Sequence, residues 1–408
     1  MRVCILTDYY YPQLGGITEH VHGQAANLAA RGHEVTIVTG RLPHAPRAAD
    51  RDERVIAADG VELVRMGVAL PLYGNGSQTL HTVLPFGTPQ LRRFFAARQF
   101  DVVHIHAPYN PSFFMLAPFA LPSGAIGVGT YHSVFTPGRV RDLVHAPTRA
   151  SLSRLDGHIV VSDACIEPLD HYFPEFSWRM IPNGIDEQHF APTAAPIAAL
   201  RESGDPVVLF LGRFDPRNGL GIMLDAFSEV WRAREGRVRL AVVGDGPLRR
   251  YYQSRLAPEI ADAVHWAGRI DWNRPRYYCS ADVLCTPCQR ASFGMVLLEA
   301  MSCGRPVVGS LISGFERLLM SGREGLLVAP TEEPAAFAAA LLRLLDSPAE
   351  LSRMGAEGRL TATARYSWAN VAAELEAFYL ELRGEARRPL VPHALPDAFP
   401  EREAPAPV

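Results

Sequence analysis

Residues 291–308 read Ala-Ser-Phe-Gly-Met-Val-Leu-Leu-Glu-Ala-Met-Ser-Cys-Gly-Arg-Pro-Val-Val. The apolar run 295–303 carries one carboxylate, Glu299, and is closed by Gly304 and Pro306. Gly294, ahead of the run, lets backbone approach a ligand, and Gly304 suits the left-handed residue that ends a helix. The first turn of such a helix offers unpaired N–H groups at the positive end of its dipole, a ready seat for a diphosphate. Glu299, about one turn further in, can hold a sugar or ribose hydroxyl beside the phosphate. A plain buried helix with one polar residue at its mouth satisfies the same run, so its setting has to decide.

Other residues of this kind stand at the C-terminal ends of short apolar runs, where open α/β sheets bind ligands. Gly15-Gly16 enters a helix after the first run, and Tyr10 lies in the loop before it. His104-Ile-His106 alternates about a strand, so His106 can face a cleft, and Thr130-Tyr-His132 ends the next one. Leu209-Phe-Leu-Gly-Arg213 places a guanidinium where it can clamp a diphosphate. Gly244-Asp-Gly-Pro247 is a further glycine-rich strand end. Asp50-Arg-Asp52 has metal-ligand spacing but sits in a charged loop without strand context, and no metal is expected.

These ends are positioned by two series of buried strands alternating with helices. The first comprises 3–6, 35–38, 102–105, 126–130 and 159–161, with a helix at 17–31. The second comprises 207–211, 239–243, 264–267, 283–285, 307–309 and 325–328. Two doubly wound α/β units in tandem follow, a first over 1–184 and a second over 185–366, joined by a Pro- and Ala-rich seam. A helix is expected over 368–382, and the Pro-rich stretch 387–408 has little to bury and reads as disordered. The turn after the first strand, Asp8-Tyr-Tyr-Tyr-Pro-Gln-Leu-Gly15-Gly16, is not Gly-x-Gly-x-x-Gly, which argues against a dinucleotide wrapped on its own unit.

A chain of 408 residues is long for one core, in keeping with two units. A net charge of -3 gives no reason to expect nucleic acid. All 40 basic residues are arginine. The sequence holds no membrane-length apolar run and no signal-peptide pattern, so a cytoplasmic location is expected. Six scattered cysteines suit a reduced compartment, and Cys285-Thr-Pro-Cys288 reads as structural, not redox.

Taken together these motifs resemble the retaining glycosyltransferases of the GT-B fold, in the large family that includes sucrose synthase and phosphatidylinositol mannosyltransferase. The resemblance runs from residue 1 to about 382. It rests on Gly15-Gly16 with His20, Phe100-Asp-Val-Val-His-Ile-His106, Gly129-Thr-Tyr-His132, Ile181-Pro-Asn-Gly-Ile-Asp186, Gly212-Arg213, Gly244-Asp-Gly-Pro247 and the 292–308 stretch. The mannosyltransferase branch is nearest through Asn75-Gly-Ser77, Tyr109-Asn-Pro-Ser112 and Ser313-Gly-Phe-Glu-Arg317.

The resemblance implies two Rossmann-like domains facing across a cleft, the C-terminal helix crossing back to the first. It implies a nucleotide-diphosphate sugar as donor, UDP- or GDP-linked, with no further cofactor. Arg213 and the helix start at Phe293, Gly294, Met295 and Val296 would bind the diphosphate with Gly15 and Gly16, and Glu299 the ribose. His132 would touch the donor sugar, and a strand end such as Ile270 the base. The acceptor would meet Tyr10, His20, Asn75, Ser77 and His106. In the retaining mechanism usually proposed, the leaving phosphate deprotonates the acceptor, so neither a side-chain base nor a metal is required.

Two departures stand out. The family's Glu eight residues before the ribose Glu is here Ala291, and its phosphate-binding Lys is Asn218, with Arg217 next door as a substitute charge. The arginines that hold an anionic headgroup in the mannosyltransferase have no counterpart in Gln78-Thr-Leu-His-Thr82. Arg92, Arg93 and Arg98, with Phe94 or Phe95 as anchor, could dock on an anionic membrane, although an ordinary Rossmann helix explains them as well. The expected activity is hexose transfer to a small or lipid-linked hydroxyl. The alternatives are a GT-B protein that binds without turnover, which Ala291 and Asn218 would support, and a sugar-nucleotide epimerase.

Overall fold

The computed structural model describes residues 1–13, 15–42, 60–74, 77–83, 87–110, 112–270 and 272–384. The stretch 387–408, the Asp50-Arg-Asp52 triplet and Asn75 lie outside the described residues, as does the side chain of Ser77.

Near-continuous apolar runs form two sheets. The first contains β1 (Arg2–Leu6), β2 (Glu34–Arg41), β3 (Val61–Gly74), β4 (Ser77–Val83), β5 (Val102–His106), β6 (Ile126–Tyr131), β7 (Gly157–Val160) and β8 (Trp178–Met180). Their order is β4-β3-β2-β1-β5-β6-β7-β8, parallel except for the β3/β4 pair. The second contains β9 (Val207–Leu211), β10 (Arg239–Val243), β11 (Val264–Gly268), β12 (Val283–Thr286), β13 (Val307–Ser310) and β14 (Gly325–Val328). It is ordered β11-β10-β9-β12-β13-β14, with every pair parallel. Strand order reverses at β1/β5 in one sheet and at β9/β12 in the other, and those switch points open a crevice at the C-terminal strand ends.

Among the helices that flank the two sheets are α1 (Gly16–Ala30), α2 (Gly87–Arg98), α3 (Arg139–Leu152), α4 (Arg274–Ser280), α5 (Met295–Ser302) and α6 (Trp368–Leu382). Trp368, Val371, Leu375, Phe378 and Tyr379 repeat at helical spacing along α6 and pack with Val3 and Ile5 of β1 and Val21 and Ala25 of α1. The C-terminal helix therefore belongs to the first sheet's core. Gly23 permits this approach, because a Cβ there would stand 2.2 Å from the Trp368 ring.

The β3/β4 hairpin is absent from the sequence reading. Gly67 at φ 74° and Pro71 interrupt β3, and both read as loop residues. Phe95, expected as a possible membrane anchor, is fully buried, and Phe94 is half-buried against Phe95 and Phe100. Arg98 pairs with Glu62 and lies over the Phe94 ring, while Arg92 and Arg93 are exposed. The aromatic part of the membrane reading is thus corrected: the hydrophobic effect keeps those rings in the core. No helix among the described residues is long and apolar enough to cross a membrane.

Candidate active site

The start of α5 is shaped by Gly294, whose φ of 96° is left-handed and whose missing Cβ would lie 2.9 Å from the Phe315 ring. No side-chain hydrogen bond caps this helix or α1, and at α5 Leu297 N–H bonds the Gly294 carbonyl at 2.9 Å, with the N–H groups of Met295 and Val296 ahead of it. The helix ends as its glycine requires: Arg305 N–H bonds the Ala300 carbonyl at 2.8 Å around Gly304 at φ 69°. The starts of α1 and α5 meet across the crevice, a Cβ on Gly16 lying 3.6 Å from Met295 Cγ. Gly15 is extended, and a Cβ there would point into open space. Two positive helix ends therefore converge on one space, which favours an anion there. Phe293 itself packs inward on Tyr366, so only its backbone can serve a ligand.

Glu299 is buried and accepts three hydrogen bonds: Tyr278 Oη at 2.7 Å, Arg274 Nη2 at 3.2 Å and Arg274 Nε at 3.3 Å. Arg274 Nη2 also reaches Glu19 Oε1 of α1 at 2.7 Å, crossing between the two sheets' units. Burial opposes the Arg274 charge, but Glu299 and then Glu19 outweigh it and raise its pKa further above the usual range. Further bonds cross the crevice nearby. Ser292 Oγ accepts from Val134 N at 2.9 Å, Ser162 Oγ donates to the Ser292 carbonyl, and Arg290 Nη1 donates to Thr136 Oγ1 at 2.9 Å.

Arg213, past the end of β9, is half-exposed and lies 3.2 Å from Asp215. Asn218 Nδ2 donates to the Arg213 carbonyl at 2.8 Å, so Asn218 props the Arg213 loop and does not project its amide outward. Arg217, next to it, is half-buried, and its Nε has no hydrogen-bond partner. The Arg217 carbonyl accepts from Gln289 N at 2.8 Å, which ties this loop to the one leading into α5. The Ala291 carbonyl packs on Gly314, where a Cβ would be 2.1 Å away. Ile270 is partly buried beyond the end of β11.

On the first sheet, His20 of α1, His106 of β5 and His132 after β6 form one cluster. His106 Nδ1 and His132 Nε2 share a hydrogen bond of 2.8 Å, and the His20 ring lies 5.0 Å from that of His132. One nitrogen from each falls within 4.8 Å of the others, the only such group of potential metal-binding side chains among the described residues. Desolvation, the largest cause in each case, holds His20 down to about 3 and His106 and His132 well below the ordinary value. All three are therefore neutral near pH 7. Behind them His104 bonds Tyr379 Oη and Thr130 Oγ1, both at 2.6 Å, in a closed structural network.

Tyr10 is 2% exposed, with its hydroxyl on His22 Nδ1 at 3.0 Å. It packs the loop from within, against Tyr11 and His22. Sequence reading missed Asp8, Arg274 and Tyr278. Asp8, just past β1, is buried, accepts from Thr82 N at 2.8 Å, and is pushed up to about 6 by desolvation.

Comparison with known proteins agrees with this geometry. Residues 14–189 match Glycosyltransferase Family 4, and residues 205–347 match Glycosyl transferases group 1. The phosphatidyl-myo-inositol mannosyltransferase of Mycobacterium tuberculosis is 32% identical over 95% of this chain and 99% of its own length. The chain belongs to the GT-B glycosyltransferase family. The glycogen synthase of Mycobacterium tuberculosis is 26% identical over 97% of this glycosyltransferase and 100% of its own chain. Among solved structures, sucrose-phosphate synthase from Thermosynechococcus elongatus superposes with a TM-score of 0.70 at 22% identity, covering 94% of this chain and 100% of its own. Anabaena HepE in complex with UDP gives 0.73 at 17% identity over 93% and 100%. The glycosyltransferase thus has the fold that its strand-end motifs require.

Proposed function

We propose that this glycosyltransferase moves a hexose, with retention, from a nucleoside-diphosphate sugar to a hydroxyl of a small-molecule or lipid-linked acceptor. The observation that carries the reading is the meeting of two uncapped helix starts at Gly16 and Met295. Their N–H groups, with Arg213, would stabilise the charge that grows on the leaving phosphate. Arg217 and Arg290 stand on the adjoining loops where the family's lysine is replaced by Asn218. Glu299, aimed by Tyr278 and Arg274, would accept from the ribose hydroxyls.

The reaction needs no side-chain base. As the bond between the anomeric carbon and the phosphate oxygen breaks, the acceptor oxygen attacks from the same face and its proton passes to that phosphate oxygen. Neutral His132 suits a hydrogen bond to a sugar hydroxyl and is unsuited to act as an acid near pH 7. His106 would orient it from the acceptor side. Positive charge comes from helix ends and guanidinium groups, so no metal step is invoked.

Mannose is the first hexose to test, given the mannosyltransferase relative. A lipid-linked acceptor is favoured by α3, which follows the His132 loop and leaves Leu143 83% exposed one turn from the exposed Arg139. Arg92 and Arg93 would add charge toward an anionic surface. The second reading, binding without turnover, is favoured by Ala291, which leaves no carboxylate where the family holds the donor sugar. Purified protein incubated with UDP- and GDP-hexoses, with and without a lipid extract, separates the two through release of nucleoside diphosphate. Arg213→Ala is expected to abolish release, and turnover that survives in that variant removes the proposed site.

A further inference from the structure

Arg274 touches both proposed donor-binding helices at once. Its guanidinium holds Glu299 of α5 at 3.2 and 3.3 Å, and the same Nη2 reaches Glu19 of α1 at 2.7 Å. The three side chains are 12, 4 and 23% exposed, so little water competes for the bonds. Glu19 stands in the first turn of α1, at the end proposed to receive the diphosphate.

We propose that Arg274 is a positioning residue that couples closure of the cleft to donor binding, orienting Glu299 within the second unit while clasping Glu19 of the first. This rests on Glu299 as the ribose contact. With the clasp made, Glu299 is aimed and the starts of α1 and α5 are held together. With the units apart, Arg274 still serves Glu299, but the bond across to Glu19 is lost, so the clasp favours the closed arrangement. Donor affinity and closure should therefore rise and fall together.

The test uses the full chain with UDP and GDP as probes. Small-angle scattering of nucleotide-free protein reports closure, and calorimetry reports nucleotide affinity. Glu19→Gln keeps the Arg274–Glu299 pair and is expected to expand the nucleotide-free protein and weaken binding about 5-fold or more. Arg274→Gln is expected to weaken binding further, and Arg274→Lys to recover part of both. Melting temperature is followed throughout, and Glu19→Gln keeps the test decisive should Arg274→Gln fold poorly. Wild-type scattering with wild-type affinity in Glu19→Gln overturns the clasp, as does a change in only one of them. Glu299→Gln isolates the underlying assignment: if it binds both nucleotides as wild type does, the ribose reading fails whatever Glu19→Gln shows. Failure of Glu19→Gln alone removes only the coupling.

Discussion

Tyr278 Oη donates to Glu299 Oε2 at 2.7 Å, and both residues are buried. Burial, and next the Glu299 carboxylate, hold the phenol well above its ordinary pKa, so it remains a donor. Tyr278→Phe keeps the ring in the core and removes only the bond that aims the carboxylate. A hydrogen bond to a charged group contributes about 1.5–3 kcal/mol, so a loss of that size is expected in denaturant unfolding at neutral pH. Donor KM should rise while kcat changes little, because ribose is bound alike in ground and transition states. A variant matching wild type in both stability and KM would contradict the role given to the pair.

Gly15 separates binding from folding. Its φ of 169° is open to any residue, and a Cβ there meets nothing within 4 Å. Gly15→Ala should therefore melt with the wild type. The added methyl would project into the space assigned to the diphosphate, and displacing one phosphate contact corresponds to about a tenfold loss of nucleotide affinity. Calorimetry with UDP and GDP measures it; unaltered affinity would move the diphosphate away from α1.

What the sequence disclosed was local. Gly304 and Pro306 mark the end of α5, and the apolar runs 102–105, 126–130 and 207–211 mark strands, because each signal lies within a few residues of its effect. Arg274 was illegible because its partner Glu19 lies 255 residues away and no spacing rule connects them. Tyr9, Tyr10 and Tyr11 are consecutive, and which ring turns inward depends on His22 and the neighbouring core, not on the triplet itself. Gly67 and Pro71 hid β3 because the register shift between Thr39 and Arg41 accommodates an irregularity that sequence rules treat as a break.

The buried histidines make the fold acid-sensitive. His104 is fully buried, and desolvation lowers it from 6.5 to about 3. A histidine lowered in the fold contributes stability that is complete above its unfolded pKa and lost as pH falls between 6.5 and about 3. At a pH near 5 the expected loss from this one group is about 2 kcal/mol. Denaturant unfolding at neutral and mildly acidic pH checks the sign: stability that holds or rises on acidification would show that the imidazole is not kept neutral.

Asp8 acts in the opposite sense. Desolvation raises its carboxyl from 3.8 to about 6, so the fold prefers the protonated form. Its contribution is present below the unfolded pKa and lost as pH rises between 3.8 and about 6, leaving a buried anion at neutral pH. Two pKa units correspond to about 3 kcal/mol, an upper bound for one group. Asp8→Asn removes the charge and retains an oxygen to accept from Thr82 N. The variant should therefore be more stable than wild type at pH 7, with the advantage shrinking on acidification and vanishing below the unfolded pKa. If Asp8→Asn is instead destabilised at neutral pH and equal to wild type in acid, the carboxylate is the form the fold requires. Its place just past β1 would then mark it as a functional anion held there against the cost of burial.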